Sequence, residues 1–370
     1  MNYKFIIDSD IAKAETLPGW FYNSEDVFQL LKEKIFLKCW HWIDDKSIFN
    51  QFRICPFFIL PDYLSEPIIV LKNQSNNYKS LSNVCTHRGN LIFDKPSNSN
   101  NLICNYHGRK FDNDGKFKFM PEFEITKNFP RNCDNLHEFP IKSFGNLLFV
   151  GFNPGFNIEN VFSIIKERVG FMPIDEFIFD ENLSRDFKIN SHWALYCDNY
   201  LEGFHVPFVH KDLNKILDYD SYETIIYDHC NLQIGYSDNK DDTFKFPKNH
   251  IDSGKNIAAY YYWIFPNLML NFYPWGLSVN LVQPKSINST NVSFRSYVFD
   301  KNKLNYGAGS DLDKVEHEDE EVVENVNKGL KSSFYKTGRF SPTKEKGVHH
   351  FHLLLSKFIN KFKELDLVKE

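Results

Sequence analysis

Cys85-Thr86-His87 and, after sixteen intervening residues, Cys104-Asn105-Tyr106-His107 decide how this chain of 370 residues is read. A Cys-x-His pair followed by a Cys-x-x-His pair can hold a [2Fe–2S] cluster, with two thiolates on one iron and two imidazoles on the other. Ligands within a pair must come from one tight loop, so their spacing is short. The long gap lets two loops clamp opposite sides of the cluster. Gly89 and Gly108 follow the histidines at +2 and +1, where a loop of this kind demands positive φ. A structural zinc site also accepts Cys/His pairs, but the order Cys-x-His is not that of the common zinc fingers.

Around these pairs, from about residue 40 to 153, short apolar runs alternate with turn residues: Phe57-Phe58-Ile59-Leu60, Ile68-Ile69-Val70-Leu71, Phe117-Lys118-Phe119, Leu147-Leu148-Phe149-Val150. That pattern predicts a small all-β unit. Ser24 is placed to cap a helix over 24–37, and a second helix is expected near 159–169. Beyond it the spacing predicts a helix around 193–205, strands at 257–265, 267–273, 277–283 and 291–299, and a helix over 312–332.

The second motif is Glu202-Gly203-Phe204-His205-Val206-Pro207-Phe208-Val209-His210. On a helix Glu202 and His205 share a face, and Pro207 should break the backbone so that His210 returns from the turn beyond. Two histidines with a distant carboxylate can hold a mononuclear Fe(II) with positions left for O₂. The run Glu316-His317-Glu318-Asp319-Glu320-Glu321 offers that carboxylate. At about 100° per residue, Val315, Val323, Val326 and Leu330 fall within about 40° of Asp319. Asp319 therefore sits at the centre of the apolar face, with Glu318 and Glu320 on its flanks and Glu316 at its edge as the alternative. A buried carboxylate needs a counter-charge, which a metal supplies.

Bulk properties exclude several classes. A net charge of −5 and a pI near 6.2 create no basic field for nucleic acid. No run of eighteen apolar residues suggests a membrane span. The N-terminal residues lack a signal-peptide pattern, and seven cysteines without disulfide-like regularity suggest a reducing compartment, the cytoplasm. The 37 phenylalanines fit a base-composition bias and are given no functional weight.

The segment Cys85–His107 resembles a Rieske [2Fe–2S] domain. Asn90 and Asn105 stand where the respiratory-chain branch has two disulfide-forming cysteines, so the resemblance is to the oxygenase branch; Arg109 departs from the Trp that many of these oxygenases carry after His-Gly. The run Asp198–His210 and the stretch Asp319–Leu330 are similar to the iron-site regions of Rieske non-haem iron oxygenase α subunits. The likeness is closest to the choline, carnitine and glycine-betaine monooxygenase branch. It implies an α+β chain: an all-β Rieske domain over 40–155, and a helix-grip (START-like) antiparallel-sheet catalytic domain formed by 1–39 and 156–370. Cys85, His87, Cys104 and His107 would bind the cluster, and His205, His210 and Asp319 the mononuclear iron. Glu202, where the family usually has Asp, would bridge His107 of one chain to His205 of the next in a head-to-tail homotrimer, and Asp198 would support it.

The implied enzyme is an oxidoreductase using O₂ as cosubstrate. Its electrons come from NAD(P)H through a separate flavin/ferredoxin-type reductase, since no Gly-x-Gly-x-x-Gly fingerprint is present here. The expected substrate is a small, quaternary-ammonium compound that is hydroxylated or N-demethylated. An aromatic ring hydroxylase or O-demethylase is the alternative, and a non-catalytic electron carrier a third. The strands over 257–283 carry Tyr260, Tyr261, Tyr262, Trp263, Phe265, Phe272, Tyr273 and Trp275. Aromatic faces there would suit a quaternary ammonium, although strand packing accounts for most of them.

Overall fold

The apolar runs of the first half form ten short strands within Lys38–Gly155. These are β1 (Trp40–Asp45), β2 (Ile54–Ile59), β3 (Glu66–Lys72), β4 (Tyr78–Ser82), β5 (Leu102–Ile103), β6 (Lys110–Phe111), β7 (Phe117–Phe119), β8 (Glu138–Phe139), β9 (Ile141–Phe144) and β10 (Leu147–Gly151). They make three antiparallel sheets in the orders β1-β10-β9, β2-β3-β4-β8 and β5-β6-β7. Ile54, Ile69, Leu81, Leu102 and Phe111 pack into one core together with Cys85 and Cys104. The two cysteines are thus fixed by the same packing that holds the strands. The computed structural model describes residues 3–361 except 305 and 311, and only the backbone at 312.

Met1–Leu37 and Phe156–Glu370 form the other unit. Its helices are α1 (Glu25–Lys34), α2 (Ile158–Val169), α3 (Trp193–Tyr200), α4 (Val206–Val209), α5 (Leu312–Gly329) and α6 (Lys346–Lys361). The Ser24 hydroxyl accepts from the Val27 N–H and caps α1. Seven strands make one antiparallel sheet: β11 (Ile178–Ile189), β12 (Glu223–Ile226), β13 (Cys230–Tyr236), β14 (Ile257–Ile264), β15 (Leu268–Tyr273), β16 (Gly276–Ser286) and β17 (Ser289–Val298). The order is β11-β17-β16-β15-β14-β13-β12. Register puts Gln233 opposite Tyr261 and Tyr261 opposite Asn271. Tyr261 and Trp263 therefore share one face, and Tyr260 and Tyr262 the other.

α6 lies on the Trp263 face: the Phe351 ring is 5.2 Å from Trp263 and 5.8 Å from Trp193, and Phe358 is 4.8 Å from Phe265. The amino-terminal segment is tied to this helix. The Leu17 N–H donates to His352 Nδ1 at 3.0 Å, and the Ser356 hydroxyl donates to the Phe5 carbonyl at 2.8 Å.

The helix expected over 193–205 is shorter than its sequence suggests. α3 stops at Tyr200, residues 201–205 form a turn, and Pro207 sits in the first turn of the short α4. The break therefore precedes Pro207, which occupies a position where its missing N–H costs nothing.

Candidate metal centres

The two Cys-His loops are built alike. In one, the Cys85 N–H bonds the Asn90 carbonyl at 2.8 Å and the Gly89 N–H bonds the Cys85 carbonyl at 3.0 Å; in the other, Cys104 N–H bonds Arg109 at 2.9 Å and Gly108 N–H bonds Cys104 at 3.0 Å. Gly89 and Gly108 have φ of +70° and +73°, the left-handed conformation that the sequence reading asked of them. Cys85 and Cys104 are buried and carry free thiols, whereas His87 and His107 are partly exposed with ring centroids 4.8 Å apart. Burial, and the Cys104 thiol beside it, push the Cys85 thiol up. Two adjacent unlinked thiols inside and two imidazoles outside are the donor set that a [2Fe–2S] cluster requires.

Arg109 packs behind these loops. It is buried, donates to Asp134 Oδ1 at 2.8 Å and lies over the rings of Phe117 and Phe129 at 5.0 and 5.3 Å. Thr86 donates to the carbonyl of the same Asp134 at 2.8 Å. Burial raises the Asp134 carboxyl, but Arg109 and the Arg131 N–H outweigh it, so the group lies below the ordinary carboxylate value. Arg109 and Thr86 together thus fasten the 131–135 turn to both loops.

In the second unit His205, His210 and Asp319 offer ligand atoms all within 4.8 Å of one another. Asp319 Oδ1 is 3.0 Å from His210 Nε2 and 3.5 Å from His205 Nε2. Metal–ligand bonds of about 2.1 Å place adjacent donors about 3 Å apart, so the spacing fits one ion, and two imidazoles with one carboxylate are the donor set of a non-haem Fe(II) site.

Each histidine is oriented by a carboxylate on its other nitrogen. Glu202 Oε1 meets His205 Nδ1 at 2.6 Å, and Glu318 Oε2 meets His210 Nδ1 at 2.7 Å. Accepting carboxylates put the proton on Nδ1 and leave Nε2 for a metal. Burial presses the His210 pKa down, but Asp319 and Glu318 more than offset this and raise it above its usual value. A cation at Nε2 would displace that proton. Asn199 donates to Asp319 Oδ1 at 2.6 Å and fixes the third donor. The second oxygen of Glu202 accepts from the Phe204 and His205 N–H groups, capping the turn in which it sits.

Three expectations need correction. Glu202 acts from the 201–205 turn rather than from a shared helical face. Asp198 does not meet Glu202; it accepts from Tyr22 at 2.9 Å and faces His352 Nε2 at 3.0 Å. Since Leu17 donates to His352 Nδ1, the ring proton lies on Nε2 and points at Asp198. On α5 the buried stripe runs through Glu316, Val323 and Asn327, while Val326 is 43 % exposed. The helix is rotated from the orientation its valines imply, and Asp319 lies at the edge of the buried face, over a cavity.

That cavity, about 110 Å³, adjoins the triad. Tyr196, Tyr200, Tyr222, Tyr261, Tyr273 and Phe294 supply rings, and Asn199, Gln233, Asn271 and Asn280 supply amides. Of the aromatic set marked in the sequence only Tyr261 and Tyr273 reach it. Tyr260, Tyr262, Trp263, Phe265, Phe272 and Trp275 are buried in packing. The amides escaped notice, although their signal is present: Gln233, Asn271 and Asn280 are polar interruptions on one face of otherwise apolar strands. Glu316 also lines the cavity. It is buried, accepts from the Tyr196 hydroxyl at 2.5 Å, and its Oε1 has no partner among the described residues. Burial pushes its carboxyl well up, with Asp319 and Glu320 adding to the shift and Tyr196 opposing it.

Residues 174–360 match the ring hydroxylating alpha subunit (catalytic domain), and residues 61–130 match the Rieske [2Fe-2S] domain. The chain belongs to the ring-hydroxylating α-subunit family. It is accordingly an oxidoreductase, with a Rieske [2Fe–2S] domain and a non-haem iron catalytic domain. It is 26 % identical to choline monooxygenase of Beta vulgaris over 92 % of this chain and 76 % of that one. It is 25 % identical to the carnitine monooxygenase oxygenase subunit of Escherichia coli, over 93 % and 94 %. Its fold superimposes on a quaternary ammonium Rieske monooxygenase with a TM-score of 0.76 at 21 % identity, covering 97 % of this chain and 100 % of the other. The α+β architecture expected from the sequence is the one observed. Among the described residues no helix is long and apolar enough to cross a membrane.

Proposed function

We propose that this chain is the oxygenase component of a monooxygenase that hydroxylates or N-demethylates a small methylated-ammonium compound. One observation carries the reading. The cavity beside His205, His210 and Asp319 is walled by tyrosine rings and carboxylates, and no Lys or Arg is among its described lining residues. Ring faces attract quaternary ammonium groups by about 0.5–2 kcal/mol each. The relatives named choline and carnitine monooxygenase support the same class.

In this reading Cys85, His87, Cys104 and His107 hold the cluster, and His205, His210 and Asp319 hold the mononuclear iron. When bound, the cluster supplies single electrons and the iron supplies reaction with dioxygen. One oxygen atom enters a substrate C–H bond and the other leaves as water, consuming two electrons and two protons. The protein's part is to place that C–H bond against the triad and to exclude water with the tyrosine wall.

Glu202 holds His205 through Nδ1, and its place at a turn lets it also accept from His107 of a neighbouring copy. Exposed aromatics adjoin both ends of that bridge: Phe204 and Phe208 flank His205, and Tyr106 adjoins His107. Such residues suit an interface, here a head-to-tail homotrimer. A separate reductase delivers electrons from NAD(P)H, and the compartment is the cytoplasm.

The test is O₂ uptake by the reduced, iron-loaded protein with choline, carnitine, glycine betaine and simple aromatic acids, with product detection. Uptake coupled to an aldehyde or a demethylated amine is expected. Coupling to aromatic products alone would replace this reading with ring hydroxylation or O-demethylation.

A further inference from the structure

The carboxylates around the triad are not equivalent. Glu202 bonds His205 and two backbone N–H groups; Glu318 bonds His210; Asp319 is shared by His205, His210 and Asn199. Glu316, one turn before Asp319 on α5, has among the described residues only the Tyr196 hydroxyl on Oε2 and nothing on Oε1, at 2 % exposure. A buried carboxylate left without donor or cation is unfavourable. It takes up a proton instead, and a cationic ligand beside it would restore the ionised form. Away from the triad and Glu202 the walls are aromatic rings, amides and aliphatic side chains, and the described lining contains no Lys or Arg.

We infer that Glu316 is the specificity-determining residue of the cavity, making it select a small organic cation that carries no anionic group of its own. The inference rests on the ammonium reading and narrows it. A cation in the cavity favours the ionised form of Glu316, against the burial that otherwise favours the protonated one, and then meets that charge and the tyrosine faces together. A zwitterion's carboxylate, unless it reaches the mononuclear iron, meets Glu316 and finds no Lys or Arg among the described lining residues. A hydroxyl, by contrast, finds partners in Gln233, Asn271 and Asn280. Tyr196 is a positioning residue, holding the Glu316 carboxylate in place.

Calorimetry on the oxidised, cluster- and iron-loaded protein tests this with four probes: tetramethylammonium, choline, its uncharged carbon isostere 3,3-dimethyl-1-butanol, and glycine betaine. Choline is expected to bind at least tenfold more tightly than the isostere or the betaine. Glu316→Gln should weaken choline at least tenfold while leaving the isostere, the cluster spectrum and the iron content unchanged. Tyr196→Phe, which keeps the charge, should retain a preference for choline over the isostere. If Glu316→Gln keeps the full preference, Glu316 is not the determinant and the ammonium reading survives. Should the betaine match choline in the unaltered protein, the exclusion of zwitterions fails, and this comparison holds even if the variant does not fold. Binding of neither tetramethylammonium nor choline would overturn both readings.

Discussion

Glu202 and Glu318 do one job on two histidines, yet only the first lies near its partner in sequence. Removing a carboxylate that orients a ligating histidine typically costs 10–100-fold in metal affinity or activity. Glu318→Gln should therefore weaken iron binding by about that factor in a titration of the iron-depleted protein, with the cluster absorption unchanged. Glu202→Gln should leave the cluster, weaken iron binding to a similar extent, and still slow turnover once iron is saturating; normal turnover at saturating iron would remove its bridging role. His205→Ala should empty the mononuclear site and leave the cluster spectrum intact. These candidate ligands are legible in sequence because spacing alone brings Cys85 to His87 and His205 to His210. Asp319 was reached by helix periodicity, although the face it was assigned to is turned. Glu318 looked like a solvated flank because its partner, His210, is 108 residues away, and no local pattern encodes that contact.

At the scale of elements, the site depends on where α3 ends. The turn after Tyr200 aims Glu202 and His205, and α6 approaches it closely. A Cβ on Gly347 would stand 2.2 Å from the Leu201 carbonyl oxygen. Gly347→Ala must push the helix off the turn, at a cost of about 1–3 kcal/mol for an overpacked contact. The expected result is a melting temperature lower by a few degrees and weaker mononuclear iron binding, read by calorimetry and iron analysis. Strands β14 to β17 and helices α1, α2 and α5 were legible from their apolar periods. The end of α3 was not. Asn199, Tyr200 and Leu201 continue a helical pattern, and the reason to stop is local but not written in the apolar period: Glu202 caps the following turn through its own carboxylate. β11 was hidden for another reason. Most of its residues are exposed, so little alternation marks it.

The molecule as a whole should be sensitive to acid. Burial holds His192 down to about 3. Burial, with His229 nearby, holds His350 down to about 4. Unfolded, both titrate near about 6.5. Below that pH the unfolded chain takes up protons that the folded chain does not, so stability falls as pH drops from about 6.5 toward about 4, by up to about 1.4 kcal/mol per pH unit for each group. Melting temperatures at pH 7.5, 6 and 5 check the slope. His192 also caps α3 by accepting from the Ala194 N–H. His192→Asn keeps a capping acceptor without the titration, and should flatten the slope whatever it does to the melting temperature at neutral pH.

The unit holding the iron triad is discontinuous in the chain, with Met1–Leu37 separated from Phe156–Glu370. Its first segment is fastened to its last helix, through Leu17 to His352 and Phe5 to Ser356. On a ribosome, where the chain emerges at about 5–20 residues per second, the β unit with its four candidate cluster ligands is made before any residue of the histidine–carboxylate triad. The first segment must wait for residues beyond 345. Biosynthesis therefore presents the two candidate metal sites in sequence, the thiolate pair first and the histidine–carboxylate triad only after Asp319 has been made. A cell assembling this enzyme has a period in which sulfide-bearing iron can be delivered with no competing mononuclear site yet formed.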